Sequence, residues 1–330
     1  MRFEHHRHSL TGKGRFRKQG RWAKPAPMTK PTPSPPGDRI AKVLARAGIA
    51  SRRDAERIIS AGRVTVNGTK ITSPALNVTA DDKIEVDGDV LAEAERTRLW
   101  RYYKPTGLVT SAKDEQGRKT VFDMLPTDLP RVMSVGRLDL NSEGLLLLTN
   151  DGELKRKLEL PTTGWLRRYR VRAHGRPNEK MLAPLKRGIT VDGERFKPMQ
   201  VEIERQQGAN VWLTIAFREG KNREVKEVLG SLGLNVNRLI RVSYGPFQLG
   251  DMPTGSIREI RGKMLRDQLG EKLVREAGAD FDAPIVHQAA DVPRSVSKVE
   301  KPAPAKRKRE KLQRGQASDE ALARMTTKGP

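Results

Sequence analysis

The first stretch with a regular pattern of apolar residues lies between residues 38 and 63. From Ile40, apolar side chains recur at positions i, i+3, i+4 and i+7, which is the spacing of one helix face, and Gly48 is a typical helix end. Ser51 opens a second segment of this kind with the residues of a capping box, and Gly62 ends it. The pattern predicts two short helices.

Alternation with a period of two replaces the helical spacing after Gly62. Val64 and Val66 alternate with polar residues, and Asn67-Gly68 suits a type I′ hairpin turn. Further short strands are predicted around residues 71 and 84–86. Two helices followed by short strands predict a small domain over residues 38–90, and the Ala-, Glu- and Arg-rich residues 91–97 are typical of a linker.

Between residues 98 and 260, segments with strand and helix periodicity interleave, and short turns separate many of the strands. This arrangement favours an α+β domain with a mixed, largely antiparallel sheet over a doubly wound parallel sheet. The predicted strands are 99–103, 132–135, 145–148, 169–173, 199–204, 211–217, 239–242 and 257–260. The predicted helices are 121–125, 152–160, 178–187 and 223–232.

The two ends of the chain carry more than half of its formal net charge of +24, with +8 in residues 1–37 and +6 in residues 261–330. We expect residues 1–37 to be a disordered, basic Pro/Gly-rich tail, and residues 261–330 to be a basic, mostly disordered extension. Two interpretations of the C-terminal tail stay open: a solvated basic segment, and an arm that holds RNA non-specifically.

Several classes of protein are excluded by composition. The chain has no cysteine and five histidines, three of them within the first eight residues, so cysteine chemistry and multi-histidine metal sites lack their residues. Glycine-rich nucleotide loops and the HExxH zinc motif do not occur. No apolar run has the length of a membrane span, and the N-terminus lacks the apolar region of a signal peptide. We expect a cytoplasmic protein without a metal or cofactor.

Residues 39–63 contain seven basic residues and two acidic ones. The basic residues occupy helix positions that the apolar residues leave free, so we expect a cationic face that binds RNA phosphates with little sequence preference. The alternative is an ordinary solvated helix surface. The predicted RNA-binding residues are Arg39, Lys42, Arg46, Arg52, Arg53, Arg57 and Arg63.

Residues 136–152 form the most unusual stretch of the second unit. A glycine-bounded loop carries Arg137, Asp139 and Glu143 and leads into the aliphatic residues 145–148, which must be buried. A carboxylate at the rim of a rigid core can be desolvated by apolar walls and kept ionised by a neighbouring cation. Judged by the residues alone, catalysis and the capping of backbone N–H groups are equal interpretations. Glycoside hydrolysis also uses two carboxylates, although only 5% of the residues are aromatic, which makes sugar binding a poor fit.

Both units resemble known families. Residues 39–68 resemble the alpha-L RNA-binding fold shared with ribosomal protein S-four, which implies binding to structured RNA. The second unit resembles the family of ribosomal RNA pseudouridine synthases that comprises the type A enzymes for small-subunit RNA and the type B, E and F enzymes for large-subunit RNA. Its matching segments are Gly136-Arg137-Leu138-Asp139, Lys104-Pro105-Thr106-Gly107, Tyr169-Arg170-Val171 and Glu219-Gly220-Lys221-Asn222-Arg223-Glu224-Val225-Lys226.

The second resemblance implies an isomerase that converts a specific uridine of ribosomal RNA to pseudouridine, with no cofactor. Asp139 falls on the catalytic aspartate of the family. Tyr169 falls on the tyrosine that packs on the target base, and Lys226 on the basic residue that pairs with the aspartate, where relatives often carry Arg. Arg137 would fill the space that a flipped uridine leaves or hold the backbone, and Arg223 would contact phosphate or support the site.

Within that family, the type B enzymes for large-subunit RNA are the most similar, through Leu140-Asn141-Ser142-Glu143-Gly144 and residues 113–123. We therefore expect 23S rRNA or a precursor ribosomal particle as the partner of a monomeric protein. Two alternatives stay open: a small-subunit rRNA pseudouridine synthase, and a non-catalytic RNA-binding factor for ribosome assembly on the same scaffold.

Overall fold

A computed structural model of the chain describes residues 37–221 and 223–285. The N-terminal tail expected over residues 1–37 lies almost wholly outside the described residues, as do residues 286–330 of the expected C-terminal extension. Within the described ranges, no helix is both long enough and apolar enough to cross a membrane.

The N-terminal unit packs two helices against short antiparallel strands around one apolar core. The Oγ atom of Ser51 accepts the backbone N–H of Asp54 at 3.1 Å, which caps the second helix as predicted. Asn67 and Gly68 both have positive φ, of 50° and 78°, as a type I′ turn requires. The elements are β1 (Asp38–Arg39), α1 (Ile40–Arg46), α2 (Arg52–Ser60), β2 (Val64–Val66), β3 (Thr69–Ile71), β4 (Asn77–Val78), β5 (Ile84–Val86) and β6 (Asp89–Val90).

The second unit is built on a nine-stranded sheet. Its strands, together with a small separate hairpin of β11 and β12, are β7 (Leu99–Lys104), β8 (Met133–Val135), β9 (Glu143–Thr149), β10 (Arg167–His174), β11 (Ile189–Val191), β12 (Glu194–Phe196), β13 (Gln200–Gln207), β14 (Asn210–Phe217), β15 (Asn235–Tyr244), β16 (Phe247–Gln248) and β17 (Ile257–Glu259). The helices are α3 (Gly152–Glu159), α4 (Glu179–Arg187), α5 (Glu224–Ser231), α6 (Gly262–Leu269) and α7 (Glu271–Ala277).

The order across the sheet is β13-β14-β10-β15-β9-β7-β17, with β16 beside β15 and β8 beside β9. All of these neighbours pair antiparallel except β15 and β9, which pair in parallel. The predicted mixed, largely antiparallel sheet is therefore confirmed.

Apolar cores cover both faces of the sheet. Leu146 and Leu148 of β9 point into a core shared with α4 and α5. Leu145 and Leu147 of the same strand point into a core shared with α3, α6 and α7. Because successive side chains of a strand face opposite sides, burial on both faces explains the uninterrupted aliphatic run in the sequence.

Two expectations need correction. The predicted helix 121–125 is only a 3₁₀ turn, Phe122–Met124, because the residue before Pro126 takes an extended conformation, with ψ of 152° at Leu125. The fold also continues past residue 260, where we expected the catalytic domain to end. Leu265 of α6 and Phe281 beyond α7 are buried in the core behind the sheet, so ordered structure occupies the beginning of the segment expected to be mostly disordered.

Candidate active site

Asp139 lies in the loop 136–142, which joins the adjacent antiparallel strands β8 and β9. Hydrogen bonds hold this loop from outside. The backbone N–H of Gly136, where φ is 67°, donates to Oε1 of Glu159 on α3 at 2.6 Å. The hydroxyl of Thr110 donates to the carbonyl oxygen of Leu138 at 2.9 Å. The backbone around Asp139 is therefore anchored on both a helix and a neighbouring loop.

Lys104 is the central anchor of the loop. Its ammonium group is fully buried and donates to three carbonyl oxygens, those of Pro105 at 3.0 Å, Asp139 at 3.1 Å and Ser142 at 2.9 Å. Burial lowers the pKa of Lys104 to about 8, while the charges of Asp139 and Glu143 act in the opposite direction. Lys104 thus places a positive charge beside the loop and fixes the path of its backbone.

Gly144 permits the close approach of the two parallel strands next to the loop. It has φ of 104°, and a Cβ atom built on it would lie 2.4 Å from the backbone oxygen of Arg241 on β15. Any side chain at this position would therefore push β9 away from β15. Glycine is therefore required at position 144 by space and by backbone conformation.

A cavity of about 1040 Å³ opens beside the loop. Its lining brings together four of the predicted site residues, which are Arg137, Asp139, Tyr169 and Arg223. Lys226 is half-buried on α5 and is not among the residues that line this cavity. Its pairing with Asp139 stays a prediction.

Tyr169 forms part of an aromatic wall of the cavity. Its ring stacks on that of Phe217, with centroids 5.4 Å apart and planes 6° from parallel. β10 and β14 are hydrogen-bonded neighbours in the sheet, and both rings line the cavity. A flat aromatic surface of this kind suits the face of a nucleobase.

Sequence reasoning missed two buried charged residues of the cavity. Arg241 lies opposite Tyr169 in the pairing of β10 with β15, and its Nε donates to the carbonyl oxygen of Leu145 at 2.7 Å. Burial raises the pKa of Glu224 to about 7, although the backbone N–H of Lys221 donates to its carboxylate at 3.1 Å. For Arg241 a signal was available in the sequence, because it follows Leu239 at the second position of a strand and a charged residue on a buried face needs a specific partner.

The same signal applied to Lys104. It follows Trp100 and Tyr102 at every second position, so strand periodicity places its side chain on a buried face. The Lys104-Pro105-Thr106-Gly107 segment matches the family in sequence, but Lys104 is not among the predicted site residues. The three carbonyl oxygens that accept hydrogen bonds from Lys104 explain why the position holds a lysine.

Glu143, the other carboxylate of the loop region, does not line the cavity. It accepts two hydrogen bonds from the Arg238 guanidinium, at 2.6 Å and 3.1 Å. Across the described ranges, no three His, Asp or Glu side chains are grouped as a metal site would need. The pair of facing carboxylates that glycoside hydrolysis would need is therefore not formed by Asp139 and Glu143.

The seven basic residues predicted to bind RNA divide into two groups. Arg39, Arg53, Arg57 and Arg63 lie on the outer surface of the N-terminal unit. The other three face the second unit, where Arg52 and Lys42 approach Glu153 at 3.0 Å and 3.6 Å, and Arg46 approaches Asp151 at 3.7 Å. The structure therefore does not place all seven on one free face.

Comparison with known proteins gives both units a family match. Residues 38–84 match the S4 domain, and residues 98–231 match the RNA pseudouridylate synthase family. A Rickettsia felis protein described as an RNA pseudouridine synthase is 47% identical over 227 residues, which are 69% of this chain and 98% of the relative. Ribosomal large subunit pseudouridine synthase B of Haemophilus influenzae is 37% identical over 283 residues, which are 83% of this chain and 78% of the relative.

A solved structure is also similar. A crystal structure of a pseudouridylate synthase aligns over 71% of this chain and 100% of its own, with 27% sequence identity and a TM-score of 0.49.

Proposed function

The chain belongs to the RNA pseudouridylate synthase family, and from this premise we propose that it isomerises a specific uridine of 23S rRNA with Asp139 as the catalytic residue. The reaction breaks the N1–C1′ bond of the uridine, rotates the uracil and forms a C5–C1′ bond. The observation that carries the proposal is the position of Asp139 in a cavity that also contains an aromatic wall and arginines.

A uridine inside folded RNA must leave the base stack before its glycosidic bond can be reached. In our proposal the flipped uracil lies against Tyr169, a contact of the order of ~1–3 kcal/mol. Arg137 is exposed beside Asp139 and occupies the space that the base leaves or holds the RNA backbone there. Arg223 at the start of α5 contacts a phosphate.

The Asp139 carboxylate has no hydrogen bond or ion pair with residues 37–221 or 223–285, whereas its backbone oxygen is bound by Lys104. A carboxylate that the described residues leave free, on a backbone anchored by hydrogen bonds, suits a group that reacts with the substrate. Attack on C1′, attack on uracil C6 and abstraction of a proton to give a glycal all use a carboxylate at this position. Lys226 is the proposed cationic partner by resemblance, and Lys104 already supplies a nearby positive charge.

The proposed substrate, oligomeric state and compartment follow from the same premise. Relatives named ribosomal large subunit pseudouridine synthase B support 23S rRNA over small-subunit rRNA. We propose that the protein acts as a monomer. The cytoplasm is the proposed compartment because ribosomal RNA is made and assembled there in bacteria, the source of these relatives.

Replacement of Asp139 tests the catalytic role. In RNA containing 5-tritiated uridine, isomerisation releases tritium from C5. We expect Asp139→Asn to lower the rate by at least ~10³-fold while RNA affinity stays within about twofold of the native value, because the amide keeps the shape and loses the reactive charge. Asp192→Asn, in a surface turn with φ of 48°, is the matched control and should keep full activity. Full activity of Asp139→Asn would exclude the proposal.

The target uridine requires a separate measurement. Pseudouridine mapping in the rRNA of a deletion strain should show one missing site in 23S rRNA, restored by the native gene and not by the Asp139→Asn variant. A missing site in small-subunit rRNA would instead establish the alternative substrate.

A further inference from the structure

A second cavity, of about 220 Å³, lies between helix α1 of the N-terminal unit and the start of α3. Three residues, Arg131, Met133 and Lys155, line both this cavity and the catalytic one. The two cavities therefore adjoin at these side chains, and together they are called the groove below.

Most cations of the smaller cavity are already neutralised. Nη2 of Arg52 lies 3.0 Å from Oε1 of Glu153, and Nη2 of Arg46 lies 3.7 Å from Oδ2 of Asp151. Lys155 forms an ion pair with Glu159 one turn further along α3. Each of these groups shares its charge with an acidic partner of the protein, which weakens its attraction for a phosphate.

Arg131 is different. Its guanidinium forms no hydrogen bond or ion pair with residues 37–221 or 223–285, although the side chain is half-buried. Burial lowers its pKa, and the charge of Asp54 opposes that change. Asp54 already accepts a hydrogen bond from the Ser51 hydroxyl at 2.6 Å and forms an ion pair with Arg57 at 3.0 Å. A guanidinium stays charged in proteins, so Arg131 bears a desolvation cost that no ion pair with the described residues offsets.

We propose that Arg131 is a phosphate-binding residue that holds the RNA backbone where it passes from the N-terminal helices into the catalytic cavity. The ligand class is a phosphodiester, whose paired oxygens match the two parallel N–H groups of a guanidinium. A phosphate contact carries no base information, so Arg131 determines how RNA enters the site and not which uridine is chosen. The proposal rests on the proposed function in taking RNA as the ligand of this groove.

Salt-dependent binding of an unmodified 23S rRNA transcript to the full chain tests this role. We expect Arg131→Gln to weaken binding about tenfold at low salt and to reduce the slope of log affinity against log salt concentration by ~0.7–0.9, the loss of one phosphate contact. Arg131→Lys keeps the charge and should retain most of the slope. Lys186→Gln, which removes an exposed charge of α4 outside both cavities, should leave affinity and slope unchanged.

Thermal unfolding separates this role from a structural one. Removing a desolvated, unpaired charge should leave the Tm of Arg131→Gln equal to or above that of the native protein, whereas loss of a structural residue would lower it. Unchanged affinity and slope in Arg131→Gln, or a Tm several degrees lower with the native slope, would overturn the proposal.

Turnover gives an independent readout. Arg131→Gln should raise the half-saturating RNA concentration about tenfold and leave the maximal rate of tritium release within about twofold, because the residue binds RNA away from the reacting atoms. If the native chain releases no tritium from any rRNA, the proposed function fails, and the salt slopes still decide whether Arg131 binds phosphate.

Discussion

The loop that carries Asp139 and the helical face of the N-terminal unit use charged residues in opposite ways. In the loop, one buried cation, Lys104, donates to three backbone carbonyl oxygens and determines where the chain runs. On the helices, exposed cations lie near acidic side chains, as Arg52 does with Glu153. The first arrangement holds position in a desolvated site, whereas the second is open to solvent and salt.

The two regions therefore make different contributions to an RNA-modifying enzyme: the loop positions a carboxylate, and the helices supply positive charge. A reactive carboxylate needs its backbone fixed, because an error of about 1 Å can cost ~10²-fold in rate. A surface that binds phosphates depends more on its charge than on the exact positions of its side chains. Each ion pair on such a surface contributes only ~0–1 kcal/mol to the stability of the protein. Substitutions near the loop should therefore cause large losses of activity or stability that do not depend on salt concentration. Substitutions on the helices should cause small changes in RNA affinity that disappear at high salt.

The largest expected effect is at Gly144. Gly144→Ala would bring a Cβ atom to 2.4 Å from the backbone oxygen of Arg241, so we expect the free energy of unfolding to fall by ~3–4 kcal/mol and activity to be lost. Gly193→Ala is the matched control. That glycine also has positive φ, of 83°, but its Cβ would meet nothing within 4 Å, so only ~1–2 kcal/mol should be lost in urea unfolding. Equal losses for both variants would contradict the role of close strand packing.

The next effect is at Lys104. Lys104→Met keeps the length of the side chain but leaves three carbonyl oxygens without their donor, so we expect ~2–3 kcal/mol of destabilisation and at least ~10²-fold slower tritium release. Lys186→Met, at an exposed position of α4, is the control and should match the native protein in both assays. Native activity of Lys104→Met would show that the loop does not depend on this anchor.

A pH effect should follow from the same residue. The pKa of Lys104 is lowered to about 8 by burial, below the ordinary lysine value of 10.5, so between these limits the unfolded chain binds more protons than the folded protein. The cost of burying the charge is complete below pH 8 and is relieved as the pH rises. Native stability relative to Lys104→Met should therefore increase by up to ~3 kcal/mol between pH 8 and pH 10.5 in urea unfolding. Parallel pH profiles for the two proteins would contradict the lowered pKa.

The smallest effect is expected on the helical face. Glu153→Gln removes the acidic partner of Arg52 and Lys42, so stability should change by less than ~1 kcal/mol. RNA affinity should rise about two- to fivefold at low salt, because Arg52 becomes free for a phosphate while Lys42 keeps only its ion pair with Asp38 at 2.9 Å, and the gain should vanish at high salt. Glu271→Gln on α7 changes the charge equally without freeing Arg52 and should give no gain. A gain that persists at high salt would show that the two regions do not differ as described.

Much of the fold was accessible from local patterns. The Ser51 cap, the Asn67-Gly68 turn and the alternation of strands and helices depend on neighbours in the sequence, and the structure has them. The 3₁₀ turn before Pro126 also had a local signal, the restriction that a proline places on the preceding residue. The helices α6 and α7 were not predicted, because their sequences are mostly basic and polar. Only a few of their residues, such as Leu265, are apolar and pack on the distant sheet.

The candidate site was accessible in part. By itself the sequence determined which residues match the family's motifs, and four of the predicted site residues, including Asp139 and Tyr169, line one cavity. Only the tertiary structure decided that Lys104 anchors the loop and that Arg241 reaches the cavity. It also decided that Arg131 lies between the two cavities without a partner among the described residues. The reason is physical: a motif depends on the order of residues in the chain, whereas burial and ion pairing depend on residues that are far apart in sequence and meet only when the sheet and the two units pack together.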